Sequence, residues 1–265
     1  MRRRALLLLL LLPVCCAWSQ VAKGRTVREL AADLRQNPND LKLIAKLGEE
    51  AGGEASVALA DSFELASAKD AKQALASALV KRGSPEAKYW EYLAAFVRKA
   101  VESKVPYPEA YDEHGRRQED KLSQEFLDWC KANRMDTQQQ MGEIINEIYF
   151  VLPQDFAIFA ELWDSRNIPL LRQGLLSPNY SVVQFSAAAL ARMGDRMAAP
   201  QIEAACKRLP ADQARFVAYE LFWFEDPALD AVAKQYIPDA GQYERRRTGA
   251  LSAKKAHLER MKKGK

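Results

Sequence analysis

The densest gathering of chemically able side chains lies between Tyr107 and His114, where Tyr107, Glu109, Tyr111, Asp112, Glu113 and His114 follow one another closely. A carboxylate with an imidazole two residues on offers donors that a divalent cation accepts. Such a site needs three or four converging ligands, and the chain holds only two histidines, His114 and His257. No Cys-x-x-Cys, His-Glu-x-x-His, phosphate-binding glycine loop or Gly-x-Ser-x-Gly occurs. Acid–base chemistry through imidazole is starved for the same reason. The segment therefore reads as an exposed polar loop whose tyrosines pack back on neighbouring helices. No residue is assigned to catalysis, to a cofactor or to a metal.

Binding is better provided for than catalysis. Tyr219 and the run Phe222-Trp223-Phe224 form a dense aromatic patch, a composition that marks a contact surface where it is exposed. Tyr219 and Trp223 are its candidates, beside Tyr107 and Tyr111 of the loop; helical spacing assigns Phe222 to the core. Arg245, Arg246 and Arg247 open a basic tail. The net charge of +4 divides into +3 for residues 1–19, +7 for 242–265 and −6 for the body between them. Such a tail attracts an acidic partner or an anionic headgroup surface, or serves only to solubilise a C-terminal helix.

The start of the chain bears on which partners it meets. Arg2, Arg3 and Arg4 precede a short apolar run, Leu6 to Leu12, then Pro13 and Ala17-Trp18-Ser19. Charged head, apolar middle and small residues before a cut are the layout of a secretory signal, with Gln20 as the expected mature start. The run falls short of the roughly 20 residues of a bilayer span; a retained anchor is the alternative. The expected location is exported, periplasmic or extracellular, which argues against nucleic acid as a partner. Past the signal, Cys130 and Cys206 remain. They either pair or stay as buried thiols, and the repeat below favours burial for Cys206.

The elements that must position these residues are helices. Residues 152–237 align with themselves at a spacing of 31. Leu152, Val183 and Ala214 fall in register, as do Phe156, Ala187 and Ala218; Phe159, Leu190 and Leu221; Leu171, Ile202 and Ala233; and Leu175, Cys206 and Ile237. Within a unit, Leu152, Phe156, Phe159 and Trp163 occupy one face of a helix, and Leu171 and Leu175 mark a second. Asp164, Asp195 and Asp226 lie between the two, suited to accept from free backbone N–H groups where the second helix starts. Pro169, Pro200 and Pro227 fall in its first turn, where a missing N–H costs little. A two-helix unit cannot bury its apolar face alone, so repetition implies stacking.

The rest of the chain reads as less regular helix. Thr26 caps a helix with Val27, Leu30 and Leu34. Asn37-Pro38-Asn39-Asp40 is a stop and restart, and Gly52-Gly53 a further break. Helices are expected over 71–81, 85–102, 122–133 and 137–150, with the loop 103–121 dividing N-terminal hairpins (20–102) from the repeat region (122–241) and the tail (242–265). No β-branched alternation announces a strand.

The stretch 177–206, a helix rich in Ala and Leu, then Gly194-Asp195, then a helix with Pro200, resembles the short HEAT-like repeats first catalogued in phycobilisome lyases. Residues 82–96 are similar to the start of that unit. Glu225 and Ala231 depart from it where Gly194 and Pro200 stand, as suits a terminal unit. Residues 38–66 resemble a degenerate tetratricopeptide hairpin. The resemblance implies an all-α fold, a right-handed solenoid of antiparallel helix pairs, and a non-catalytic scaffold for a protein or peptide partner. A lyase-like, cofactor-handling enzyme is the alternative by fold analogy alone, and a peripheral binder of the envelope surface through the basic tail is a third reading.

Overall fold

The computed structural model describes residues 25–263 except Asp136; the expected signal, residues 1–19, and Gln20 lie outside them. The described chain is mostly helical and divides into two compact units at Gly83/Ser84.

In the first unit four helices follow one another: α1 (Val27–Gln36), α2 (Leu41–Glu49), α3 (Gly53–Leu65) and α4 (Lys69–Lys81). The sequence dictates their starts. Thr26 and Glu29 form a reciprocal capping box on α1, and the Asp40 carboxylate accepts from the N–H groups of Lys42 and Leu43 on α2. Helix α1 packs on α3, and α2 on α4, burying Leu30, Leu34, Ile44, Leu47, Leu59 and Leu75. Buried backbone groups find side-chain partners: Asn39 Oδ1 accepts from Ser67 and Ala68 N–H at 3.1 and 3.0 Å, and Arg82 donates to the carbonyls of Glu50 and Gly52.

The second unit begins with α5 (Ala87–Glu102), one helix earlier than the expected boundary at 103. The physical reason is α5's partners. Trp90 lies 6.1 Å from Phe159, and its Nε1–H donates to buried Asn167 Oδ1 at 2.7 Å, while Asn167 Nδ2 donates to Phe159 O at 2.7 Å. Strands β1 (Glu109–Tyr111) and β2 (Arg117–Leu122) follow as an antiparallel pair. The expected loop over 103–121 is thus corrected to a hairpin. Helices α6 (Gln124–Ala132) and α7 (Gln138–Asn146) come next.

Helix α7 runs through a π turn, Glu147–Val151, into α8 (Leu152–Ala160). Pro153 lacks the N–H that an unbroken α-helix needs and would crowd Tyr149 O. The wider turn accommodates it, with Leu152 N–H reaching Glu147 O, five residues back.

Helices α9 (Asn167–Gly174), α10 (Tyr180–Arg192), α11 (Ala199–Arg208), α12 (Ala211–Ala218) and α13 (Pro227–Tyr236) complete three helix pairs. Helix α8 packs on α10 and α10 on α12, while α9 packs on α10 and α11 on α12. Every position aligned by the spacing of 31 is buried: Phe159, Leu190 and Leu221 are all 0% exposed, as are Leu171, Ile202 and Ala233. Each such large side chain taken from water contributes roughly 1.5–3 kcal/mol.

The backbone repeats with the side chains. Trp163, Gly194 and Glu225, again 31 apart, hold left-handed φ of 53°, 71° and 51°. In each, the N–H bonds a carbonyl three residues back: Ala160, Ala191 and Phe222. This is a left-handed helix cap, and only one of the three carries the glycine that suits it. The aspartates that follow differ more. Asp164 accepts from Arg166 N–H and Asp226 from Ala228 N–H, both at a helix start as expected. Asp195 instead faces Arg172 of the preceding pair, taking two bonds at 2.8 and 2.7 Å, because the guanidinium on α9 outcompetes a backbone donor.

Cys130 and Cys206 are both free and buried, so the disulfide alternative gives way to inert thiols. Burial holds the Cys206 thiol up to about 12.

The cap repeat sets a pair of opposite outcomes. Glu225→Gly relieves a left-handed side-chain penalty and should raise urea-unfolding stability by roughly 0.5–1 kcal/mol. Gly194→Ala should lower it by about 1 kcal/mol. Equal destabilisation by both would contradict a shared cap.

Candidate functional site

The tyrosines of the hairpin meet two more from the helix pairs. Tyr107 stacks on Tyr180 at 5.2 Å and meets Tyr149 edge-on at 6.0 Å, and Tyr111 lies 6.0 Å from Tyr180. At their centre is Glu109, whose side chain is 11% exposed. It accepts from Tyr149 OH at 2.6 Å and Tyr111 OH at 3.1 Å and pairs with Arg117 at 2.9 Å. Gln213 Nε2 donates to Tyr111 OH at 2.7 Å. Burial, before any other cause, raises the Tyr111 and Tyr149 hydroxyls above their usual range, so both stay neutral donors.

Tyr149, Tyr180 and Ala211 are themselves 31 residues apart, the same position of three successive units. The hairpin touches each. Glu109 reaches Tyr149, Tyr107 and Tyr111 reach Tyr180, and the turn reaches Ala211. There Gly115, at φ +71°, comes so close that a Cβ on it would stand 2.4 Å from Ala211 N. Its carbonyl accepts from Asp212 N–H at 3.1 Å, and Asp212 Oδ2 accepts from Arg117 N–H at 2.9 Å. The hairpin is a strap laid across the leading ends of the three first helices. Its own turn is held by Asp112, which accepts from His114 and Arg116 N–H and from the Arg116 guanidinium; those Arg116 bonds keep the Asp112 carboxyl below its ordinary value.

This arrangement is structural chemistry. Tyr107 is buried and Tyr111 half-buried, each engaged inside the unit, and Glu113 and His114 point outward, 3.5 Å from one another. Among the described residues no group of three metal-ligating side chains converges.

The other candidates lie at the far end of the helix pairs. The aromatic run forms a 3-10 helix, Tyr219–Phe224, and Leu221 to Phe224 are buried. Trp223 is 9% exposed, with the Arg192 guanidinium 5.6 Å from its ring. The basic tail is a docked helix, α14 (Ala240–Lys263). Tyr243 meets Phe222 edge-on at 5.3 Å, Arg247 pairs with Asp230 at 2.7 Å, and Lys254 pairs with Glu225 at 2.9 Å. Three cations of the tail thus face the protein: Arg247, Lys254 and Arg246, whose guanidinium lies 4.7 Å over the Tyr219 ring.

What remains at the surface is a compact patch. Tyr219 is half-buried and bonded to Gln242 Nε2 at 3.0 Å. Phe216, which the sequence gave no reason to single out, is 41% exposed and meets Tyr219 edge-on at 6.0 Å. Arg245 and Arg246 are exposed beside them in sequence. Glu220, in the same 3-10 turn, has its carboxyl pushed up to about 7 because burial penalises the charged form, with Arg192 pulling the other way.

Two outcomes follow. Glu109→Ala leaves two phenols and Arg117 without their acceptor and should cost about 2–4 kcal/mol, with loss of amide protection over 109–122; Glu113→Ala should stay within about 0.5 kcal/mol. For Glu220 the native state keeps a proton that the unfolded state loses between its model value of 4.5 and about 7. Stability is therefore highest below that window and falls as pH rises through it, by about 1–2 kcal/mol after allowance for partial solvent access. Urea midpoints from pH 4.5 to 8 should show the fall, and Glu220→Gln should remove it.

Compared with family models, with curated proteins and with solved structures, the chain matches none.

Proposed function

We propose that this chain is an exported, non-catalytic scaffold of the HEAT-like helical-repeat type, which holds a protein or peptide partner. One observation carries the reading: side chain and backbone repeat together every 31 residues, through the buried positions and the left-handed caps at Trp163, Gly194 and Glu225. Polar links join successive units. Arg172 reaches Asp195 of the next, Arg196 donates to Phe224 O at 3.0 Å, and Arg208 reaches back to the carbonyls of Leu175 and Ser177. A chain that commits its arginines and aspartates to stacking offers a shaped surface, and shape with a few exposed anchors is what partner binding uses.

Phe216, Tyr219 and Arg246 supply such anchors: two aromatic rings at right angles with a guanidinium over one of them. Aromatic and arginine side chains dominate binding energy at interfaces. The partner's matching surface is apolar with an acidic rim. The alternative of an envelope-surface binder has less to draw on, since Arg247 and Lys254 are ion-paired within the unit.

The test is photocrosslinking in the native envelope, with a reactive residue at position 216 and, as control, at exposed Glu161. A discrete adduct at 216 that disappears in a Tyr219→Ala, Arg246→Ala background is the expected result. Adducts of equal yield from both positions would remove the proposal.

A further inference from the structure

The π turn does more than admit Pro153. Where α7 leaves the packed helices, a cavity of about 190 Å³ opens beneath it. Its wall is largely apolar: Ala100 of α5, Trp129 of α6, Ile144 of α7, Ile148 of the π turn, Leu152 of α8 and Val182 of α10. Helix α7 buries none of its own residues, so Ile144 closes the cavity from a helix held by little else. An apolar cavity of ~150 Å³ takes up a molecule the size of benzene.

The polar groups of the wall are few and of one kind of use. Asn179 lines it and is 2% exposed. Its Oδ1 caps α10 by accepting from Ser181 N–H at 3.0 Å, while its Nδ2 has no acceptor among the described residues. A buried amide donor left unpaired costs about 1–3 kcal/mol, which a bound acceptor would recover. The same residue begins the thirteen-residue helix α10, and the unpaired N–H groups of a first helical turn favour negative charge. Lys99, 75% exposed, stands on the wall as well, paired at 3.1 Å with Glu147, itself 48% exposed. That pair is solvent-screened and weakly held, so the ammonium is free to turn to a better-placed anion.

We infer that this cavity is a binding site for a small amphiphilic carboxylate: an apolar body of about one aromatic ring or a short branched chain, with its acid group between Asn179, the start of α10 and Lys99. The site shares no residue with the Phe216–Tyr219–Arg246 patch, and it stands whether or not the chain is a scaffold.

Three probes with one body separate the head groups: 4-phenylbutyrate, 4-phenylbutan-1-ol and 4-phenylbutylamine, titrated calorimetrically into the purified protein at neutral pH. Saturable 1:1 binding is expected, with the acid at least tenfold tighter than the amine and the alcohol between them. Lys99→Ala should weaken the acid about fivefold and leave the alcohol unchanged. Ile144→Trp, at a half-buried position on the outer wall, and Val182→Trp should each abolish binding of all three; thermal melting identifies which of the two keeps the fold, and that one decides. Absence of saturable binding by any probe, an amine as tight as the acid, or acid binding undiminished in the folded filling variant would overturn the site.

Discussion

Two short antiparallel helices have an apolar stripe and nothing of their own to lay it against. That shortage organises the second unit. Each of the three pairs between 152 and 237 must borrow its missing cover from the next, and the first helices α8, α10 and α12 do so by packing in sequence. The pairs can be equivalent only if the chain reverses the same way each time. It does, through a left-handed residue that bonds three positions back, whether that residue is tryptophan, glycine or glutamate. Conformation is conserved across the three caps where residue type is not, because the penalty of a non-glycine cap, roughly 1–2 kcal/mol, is smaller than the burial it permits.

A stack of borrowing units still has exposed sides, and the remaining elements close them. Helix α5 covers the first pair through Trp90 and Asn167. Helix α14 covers the last through Tyr243 on Phe222. The hairpin β1–β2 covers the leading ends, meeting the same repeat position three times, at Tyr149, Tyr180 and Ala211. Polar residues that look reactive in the sequence are consumed here. Glu109 accepts from two phenols, and Asp112 holds a turn.

The helix pairs were legible because periodicity survives in sequence: buried positions demand apolar residues every 31, and substitution among Leu, Ile, Phe, Ala and Cys leaves the pattern readable. The hairpin was not legible. Its strands carry Glu, Arg and Lys in place of β-branched residues, and contacts far along the chain stabilise it. The one local trace was Asp112 followed by Gly115 at the spacing of a tight turn. Binding candidates chosen by residue type fared according to what lay opposite them. Tyr107 and Trp223 became core, Arg247 found Asp230, and the exposed Phe216 was invisible to composition because its exposure depends on where α12 ends. The π turn had a signal in Pro153, five residues too late for a helix start and too early for a stop.

Hydrogen exchange on Leu190→Ala tests most directly whether the pairs depend on one another. Leu190 is 0% exposed at the centre of the middle pair, and its truncation should cost about 2–5 kcal/mol. Mutual cover requires amides in α8 and α12, on both sides, to lose protection together with those of α10. Loss confined to 180–192, with both neighbours as protected as before, would contradict it.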